Sequence, residues 1–264
     1  MMPSSRNVQP GLEVHQFACL EDNYGYLVHD RESGLTAAID TPSAEAIRQA
    51  LAAKGWTLDF ILNTHHHTDH AGGNLELKRE TGCRIVGPKA DAARIPGIDL
   101  ALGDGDRFEL GTRHAVVLDT PGHTRGHIVY VFPGDKVAFV GDTLFAMGCG
   151  RLFEGTPAQM WHSLQKLLEL PPDTLVYCAH EYTQKNAQFA LTVDPDNADL
   201  AARAAEVQRL RAMGLPTVPT TIGRERQTNP FLRVEDPALK AAVGLPEADA
   251  AAVFAEIRQR RNVF

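Results

Sequence analysis

The chain has 264 residues, of which 44% are hydrophobic and 22% charged, as is usual for a globular protein of one large or two modest domains. Its net charge of −7, from 26 basic and 33 acidic residues, disfavours a polyanionic partner such as nucleic acid. Residues 1–15 contain no signal-peptide core, no window resembles a membrane span, and the four cysteines form no CxxC motif. We therefore expect a soluble, reduced, cytoplasmic monomer without a membrane or nucleic-acid partner.

Short β-branched runs bounded by turn residues recur from about residue 12 to residue 179 and predict buried strands. The runs are Thr36–Ile39, Phe60–Leu62, Arg84–Val86, Ala115–Leu118, Ile128–Val131, Val137–Val140 and Leu175–Tyr177. Pro133–Asp135 predicts a hairpin turn and Gly103–Asp106 a further turn.

Amphipathic segments between these runs predict helices. Thr41 is the expected cap of the first helix, which opens at Pro42 and ends before Gly55. A second helix is predicted over Pro157–Leu170. The alternation of strands and helices favours an α/β architecture in which helices cover sheets.

The strand-like runs stop after about Tyr182. Good helix-forming residues then predict helices over Ala198–Met213, Pro237–Val243 and Ala248–Arg261. No flexible linker precedes them, so this helical tail is expected to pack against the first domain. The pattern alone leaves open whether the tail takes part in chemistry or only stabilises the fold.

The run HHHTDH over residues 65–70, directly after a predicted strand, carries ligands that suit zinc, iron and manganese. In an extended loop His65 and His67 project to the same side, while Asp69 and His70 follow at a bend and can serve a second ion. His66 faces away and is excluded. A surface histidine tract is the alternative, but this run is internal and contains an aspartate.

Three more ligand-type residues follow predicted strands in the same way: His123, Asp142 and His180. Strand ends are the places where layered α/β folds assemble their sites. Together these five histidines and two aspartates suffice for two ions, with Asp142 able to bridge them.

At this point the sequence resembles the metallo-β-lactamase superfamily and, within it, the glyoxalase II (hydroxyacylglutathione hydrolase) family. The HxHxDH run carries the resemblance to the superfamily. The family resemblance rests on DNY at 22–24, TPGHT at 120–124, GDT at 141–143, GRLFEGT at 150–156, AHEYT at 179–183, TNPFLR at 228–233 and IRQRRNVF at 257–264. These segments span essentially the whole chain.

The resemblance implies a metallo-β-lactamase αββα sandwich as the catalytic domain, residues 1–181, and an all-helical glutathione-binding domain, residues 182–264. It also implies two divalent ions, zinc in the first place, with iron or manganese as alternatives. The implied ligands are His65, His67 and His123 for the first ion, Asp69, His70 and His180 for the second, and Asp142 between them.

The reaction implied by the resemblance is hydrolysis of S-D-lactoylglutathione, and of related S-2-hydroxyacylglutathiones, to D-lactate and glutathione. A metal-bridging hydroxide would attack the thioester carbon, in the second step of methylglyoxal detoxification. Asp69 and Asp142 are the expected catalytic residues. Cys149 and Cys178 have no evident general base and are expected to be buried structural thiols.

Matching segments imply substrate contacts from Arg151, Phe153, Tyr182, Arg258 and Arg261. Arg258 and Arg261 share a helical face and suit bidentate recognition of carboxylates, although a solvated face is the alternative. Two residues depart from the family pattern: Phe153 replaces a common tyrosine, and Asn262 a common acidic residue. Both departures bear on substrate affinity.

Several relatives with the same ligands are alternatives. A mononuclear-iron persulfide dioxygenase or another thioesterase of the superfamily comes next, although the long helical tail argues against the dioxygenase. A metallo-β-lactamase usually lacks the bridging aspartate, and a nucleic-acid phosphoesterase conflicts with the acidic balance. A non-catalytic glutathione-binding scaffold would not need seven ligand-type residues.

Overall fold

The structure is a computed structural model that describes residues 11–264. The predicted lack of a signal peptide concerns in part residues 1–10, which lie outside the described residues, and it stays a prediction. Two six-stranded sheets pack face to face, and helices cover their outer faces. The fold is therefore the expected αββα sandwich followed by a helical region. Within the described chain, no helix has the length and apolar character needed to cross a membrane.

The first sheet has the strand order β1-β2-β3-β4-β5-β6, antiparallel as far as β3 and parallel from β3 onwards. Its strands are β1 (Leu12–Cys19), β2 (Asn23–Asp30), β3 (Thr36–Ile39), β4 (Phe60–Leu62), β5 (Arg84–Pro88) and β6 (Leu100–Leu102). Ile39 pairs with Leu62, so β3 and β4 end level with each other. The loops that follow them consequently leave the sheet at the same edge.

The second sheet has the order β14-β13-β10-β9-β8-β7. Its strands are β7 (Arg107–Leu110), β8 (Arg113–Asp119), β9 (Ile128–Phe132), β10 (Val137–Gly141), β13 (Leu175–Cys178) and β14 (Thr220–Thr221), and a separate small ribbon contains β11 (Leu144–Phe145) and β12 (Gly148–Cys149). Every residue of β9 and β10 is buried, as expected for strands covered on both faces. The turn at Gly103–Asp106 connects the two sheets rather than two paired strands.

The helices of the first region are α1 (Ala44–Lys54), α2 (Thr68–Ala71), α3 (Asn74–Thr81) and α4 (Pro157–Leu168), with a 3₁₀ helix at Lys89–Arg94. The prediction that Thr41 caps α1 is wrong. The cap is Ser43, whose side chain accepts a hydrogen bond from the amide of Ala46. Thr41 is instead buried and donates to Asn74 Oδ1, because the chain enters the helix two residues later than the proline suggests.

The tail contains α5 (Thr183–Val193), α6 (Ala198–Ala212), α7 (Ile222–Thr228), α8 (Pro237–Ala242) and α9 (Ala250–Val263). The expectation that strands stop after Tyr182 has one exception, since the two-residue strand β14 pairs with β13. Through β14 the tail joins the edge of the second sheet. Helix α9 packs mainly on α4, so the tail also covers the outer face of that sheet.

Candidate metal centre

Seven ligand-type side chains meet at one edge of the sandwich. They are His65, His67, Asp69 and His70 from the loop and short helix after β4, His123 after β8, Asp142 after β10 and His180 after β13. Strands β8, β10 and β13 run in the same direction, so their carboxyl ends share an edge. Gly141 pairs with Cys178, which makes the chain leave β10 and β13 at the same level.

His65, His67 and His123 form a first ligand group. His67 Nδ1 lies 3.0 Å from His65 Nε2 and 3.1 Å from His123 Nε2. Burial and the neighbouring imidazoles hold the pKa of His65 well below its ordinary value and lower that of His67 to about 4. Neutral imidazoles are the form that binds a metal ion, so this group is prepared for one.

Asp69, His70 and His180 form a second ligand group. Asp69 Oδ2 lies 3.4 Å from His70 Nε2 and 3.5 Å from His180 Nε2. Burial opposes a charge on His70, but the carboxylates of Asp142 and Asp40 raise its pKa well above the ordinary value. Positive charge is therefore favoured at this point, and a divalent ion would supply it while displacing the proton.

Asp142 lies between the two groups. Its Oδ2 is 3.4 Å from His123 Nε2, and its Oδ1 is 3.5 Å from His70 Nε2 and 3.4 Å from His180 Nε2. His70 Nε2 and Asp142 Oδ1 are buried, and neither has a hydrogen-bond partner within residues 11–264. Orphaned polar atoms on facing ligand-type side chains are what a metal site needs, so these residues fit a pair of divalent ions.

His127 and Gly141 hold the backbone of Asp142 in place. The amide of Asp142 donates to His127 Nε2 at 3.0 Å, and a Cβ at Gly141 would lie 2.6 Å from Thr64 Oγ1. Only glycine therefore fits at position 141, where φ is +48°. His66 points away from the ligands, as predicted, and lies between Asp91 and Arg94.

Four residues that hold the ligands in place were not assigned a role from sequence. Asp40 Oδ2 lies 2.8 Å from His70 Nδ1, and Thr64 Oγ1 lies 3.0 Å from His65 Nδ1. Asp22 and Asn23 contact the second group from the turn between β1 and β2. Asp40 could have been found, because it follows a predicted strand in the same way as Asp142.

A cavity of about 740 Å³ opens beside the metal centre. Beyond the ligands, its lining residues are Phe145, Arg151, Phe153, Tyr182, Lys185, Gln188, Arg261 and Phe264. Four of the five expected substrate-binding residues therefore face it. Lys185, Gln188 and Phe264 were missed from sequence, because exposed polar residues and a chain terminus carry no local signal.

Arg258, the fifth of these residues, is buried behind the cavity wall that the lining residues form. Its guanidinium lies over the ring of Phe231 and donates from Nη1 to the carbonyl of Cys149 at 2.9 Å. Its Nε is buried and has no hydrogen-bond partner among the described residues. Arg258 lines a smaller adjoining cavity of about 100 Å³ together with Arg151, Tyr182 and Arg261, so the three arginines lie around one space.

Cys149 and Cys178 are buried, as predicted. Burial raises the pKa of the Cys149 thiol to about 11 and that of Cys178 to about 12. Both thiols are therefore protonated at neutral pH and are poor nucleophiles.

Comparison with known proteins agrees with the fold and the site. A family model described as the metallo-beta-lactamase superfamily matches residues 37–180, more than half of the chain. The structure of ETHE1 from Myxococcus xanthus aligns with a TM-score of 0.68 at 25% identity, over 94% of this chain and 90% of that one. The chain belongs to the metallo-β-lactamase superfamily, and its His/Asp cluster is a site for divalent metal ions.

A second family model, described as the hydroxyacylglutathione hydrolase C-terminus, matches residues 181–264. A hydroxyacylglutathione hydrolase from Maricaulis maris is 56% identical over 96% of this chain and 99% of its own length. One from Brucella ovis is 58% identical over 96% of this chain and 98% of its own length. Within the superfamily, the chain therefore belongs to the hydroxyacylglutathione hydrolases.

Proposed function

We propose that this protein hydrolyses S-D-lactoylglutathione, and related S-2-hydroxyacylglutathiones, to the hydroxy acid and glutathione. The observation that carries the proposal is Asp142, whose two oxygens face two separate ligand groups at 3.4–3.5 Å beside a cavity with a cationic wall. The relatives named hydroxyacylglutathione hydrolase support the same reaction. Hydrolysis adds hydroxyl to the acyl carbon and breaks the C–S bond, and the departing thiolate takes up the proton.

We propose His65, His67 and His123 as ligands of a first ion, Asp69, His70 and His180 as ligands of a second, and Asp142 as the residue between them. Divalent ions in such a centre supply Lewis acidity and lower the pKa of water towards neutrality. Asp142 lies between the two groups. Burial opposes ionisation of Asp69, but the charge of the neighbouring His70 and the hydrogen bond from Asn23 hold its pKa below the ordinary value, so it stays anionic. Asp69, half-exposed at the cavity floor, also orients the attacking water.

We propose that the cationic wall binds the glutathione part of the substrate. Glutathione carries two carboxylates, and Arg151, Arg258 and Arg261 surround one small cavity next to the main one. Burial lowers the pKa of Arg261, yet a guanidinium stays charged at neutral pH, so desolvation strengthens its attraction for an anion. Tyr182 stacks on His180 at 4.7 Å between ring centroids and connects this wall to the metal centre.

Phe153 lines the cavity beside the first ligand group. Its ring lies 5.2 Å from that of His123 and 5.8 Å from that of His67, and 60% of the residue is exposed. Phe153 therefore shields the first ligand group and gives the substrate an apolar contact. The family resemblance implies a tyrosine hydroxyl at this position, so we propose that Phe153 weakens binding without changing the reaction.

The persulfide dioxygenase and other thioesterases of the superfamily are not favoured. The tail matches the hydroxyacylglutathione hydrolase C-terminus as far as residue 264, and the relatives at 56–58% identity bear that name along nearly their whole length.

Finer assignments are also part of the proposal. We propose two ions per chain, zinc before iron or manganese, and a boundary between residues 181 and 182 that separates the catalytic from the glutathione-binding domain. We also propose that the protein is a monomer. Four buried free cysteines are consistent with the reducing cytoplasm.

The assay is loss of the ultraviolet absorbance of the thioester in S-D-lactoylglutathione, with purified, zinc-loaded protein. We expect release of D-lactate and glutathione in equal amounts. The matched control is Asp69→Ala, which removes one ligand of the second group. Turnover no faster than that of Asp69→Ala would refute the hydrolase, and sulfite formed from a glutathione persulfide would indicate the dioxygenase instead.

A further inference from the structure

The turn between β1 and β2 lies directly beneath the second ligand group. Its residues Asp22 and Asn23 belong to the DNY motif, which the ligand set leaves without a role. The amide of Tyr24 donates to the carbonyl of Ala179 at 2.7 Å, and the amide of Glu181 donates to the carbonyl of Asp22 at 2.9 Å. These bonds tie the edge of the first sheet to the loop that carries His180.

Asp22 controls the orientation of His180. Its Oδ1 lies 2.9 Å from His180 Nδ1, so that nitrogen donates to the carboxylate. His180 Nε2 is then the nitrogen that faces Asp69 Oδ2 at 3.5 Å and Asp142 Oδ1 at 3.4 Å. A carboxylate on the far nitrogen fixes both the tautomer and the ring orientation of a ligating histidine.

Asn23 controls the position of Asp69. Asn23 Nδ2 donates at 3.2 Å to Asp69 Oδ2, the same oxygen that faces His70 Nε2 at 3.4 Å. A carboxylate oxygen has two lone pairs, so it can accept this bond and still bind an ion. Asn23 is buried, whereas Asp69 is on a helix of four residues and its side chain is 40% exposed. The neighbouring amide therefore supplies rigidity that so short a helix lacks.

The first ligand group has no such connection to this turn in the part of the chain that the structure describes. His65 Nδ1 contacts the hydroxyl of Thr64 at 3.0 Å, and His123 Nδ1 contacts the carbonyl of Arg151 at 2.8 Å. Both partners are neutral and lie on the loops after β4 and β12. The turn therefore contacts the two ligand groups unequally.

We propose that Asp22 and Asn23 are positioning residues that determine the affinity of the second ion, and with it the balance between one-ion and two-ion forms of the protein. The inference rests on the proposed ligand set. It adds that second-ion affinity depends on the turn between β1 and β2, about forty residues before the HxHxDH motif.

The test is a zinc titration of metal-free protein against a chromophoric chelator, which yields two dissociation constants. For Asn23→Ala we expect the second ion to bind about 10–100-fold more weakly, as is typical when a ligand loses its hydrogen-bond partner, with the first constant unchanged. Asp22→Ala should behave alike. Asp22→Asn keeps an acceptor oxygen for His180 and should retain more of the second-ion affinity.

Glu21→Ala is the matched control, because Glu21 is an exposed neighbour in the same turn and should leave both constants unchanged. The thermal midpoint of metal-free Asn23→Ala should stay near that of the wild type, since the backbone bonds of the turn remain. The inference would be overturned if both dissociation constants of Asn23→Ala equalled those of the wild type, or if both ions bound more weakly by the same factor. If the wild-type protein itself bound fewer than two ions, the proposed ligand set would be wrong instead.

Discussion

The metal centre and the cavity wall beside it differ in how firmly they are held. In the centre, His65, His70, His123 and His180 are buried, and each has a second partner on its other ring nitrogen. On the wall, Arg151, Phe153, Lys185, Gln188 and Phe264 are exposed. Several contacts thus hold each ligand of the centre in place. The wall is a surface whose residues can change without disturbing the fold. We expect substitutions in the centre to act on turnover and metal content, and those on the wall to act on KM.

The largest effect is expected at Asp142. Asp142→Ala removes the carboxylate between the two ligand groups, and we expect kcat/KM to fall about 10³-fold or more, with fewer ions retained per chain. Thioester assays and elemental analysis of the same sample measure both. The control is Asp119→Ala, a partly buried carboxylate at the end of β8 outside the ligand groups. Full activity in Asp142→Ala would remove the basis for distinguishing centre from wall.

A smaller effect is expected from Arg261 on the wall and from Arg258 behind it. Arg258→Ala combined with Arg261→Ala should raise KM about 10–100-fold, because a hydrogen bond to a charged group is worth about 1.5–3 kcal/mol. The value of kcat should change much less. Arg260→Ala on the same helix is the control, since Arg260 pairs with Glu256.

Arg258 is buried, so the double variant can also lose stability. Arg261→Ala alone avoids this problem, because Arg261 is only partly buried. If KM stays at the wild-type value in Arg261→Ala and in a folded double variant, the tail has a purely structural role.

A substitution at Asp30 tests whether stability can change without an effect on the metal centre or the cavity wall. Its buried carboxylate accepts hydrogen bonds from Ser33 and Thr112, which join the β2–β3 turn to the β7–β8 turn. Burial opposes ionisation, but these bonds lower the pKa of Asp30 to about 2. Asp30→Asn should cost about 2 kcal/mol of unfolding free energy at neutral pH and leave KM unchanged.

The pH dependence of Asp30 has a definite sign. A lowered native pKa stabilises the fold above the unfolded value of about 3.9, and this contribution is lost as pH falls towards 2. Urea unfolding from pH 7 to pH 3 should therefore bring the wild type and Asp30→Asn closer together at low pH. A constant difference between them would contradict the role given to this carboxylate.

The smallest effect is expected at Phe153. Phe153→Tyr adds the hydroxyl that the family resemblance implies here and should lower KM about two- to tenfold, the value of one hydrogen bond, with kcat unchanged. Steady-state kinetics on S-D-lactoylglutathione measure it. An unchanged KM would mean that only the ring contact matters at this position.

Sequence patterns predicted the clustering of these ligand-type side chains for a physical reason. Ligand-type residues such as His123, Asp142 and His180 each follow an apolar run, and strands that run in one direction deliver the residues after them to one edge. The same alternation of elements predicted sheets covered by helices, and the family resemblance implied the αββα layering. Local patterns therefore sufficed wherever a strand fixed the geometry.

The sequence patterns failed to predict features that depend on tertiary contacts. The helix Thr183–Val193 has no side-chain cap at its start, and the two-residue strand Thr220–Thr221 exists only because β13 has a free edge beside it. Helical spacing put Arg258 and Arg261 on one face, but it could not predict that Arg258 lies buried over the ring of Phe231 while Arg261 reaches the main cavity. The contact between Asn23 and Asp69 joins residues 46 positions apart and has no local signature.

The most direct test of the central claim is thioester hydrolysis measured while zinc is added stepwise to metal-free protein. Two ligand groups joined by Asp142 predict that the rate rises until about two ions are bound per chain and then stays constant. A rate that is already complete at one ion per chain, or that never exceeds the rate without metal, would contradict the two-ion hydrolase.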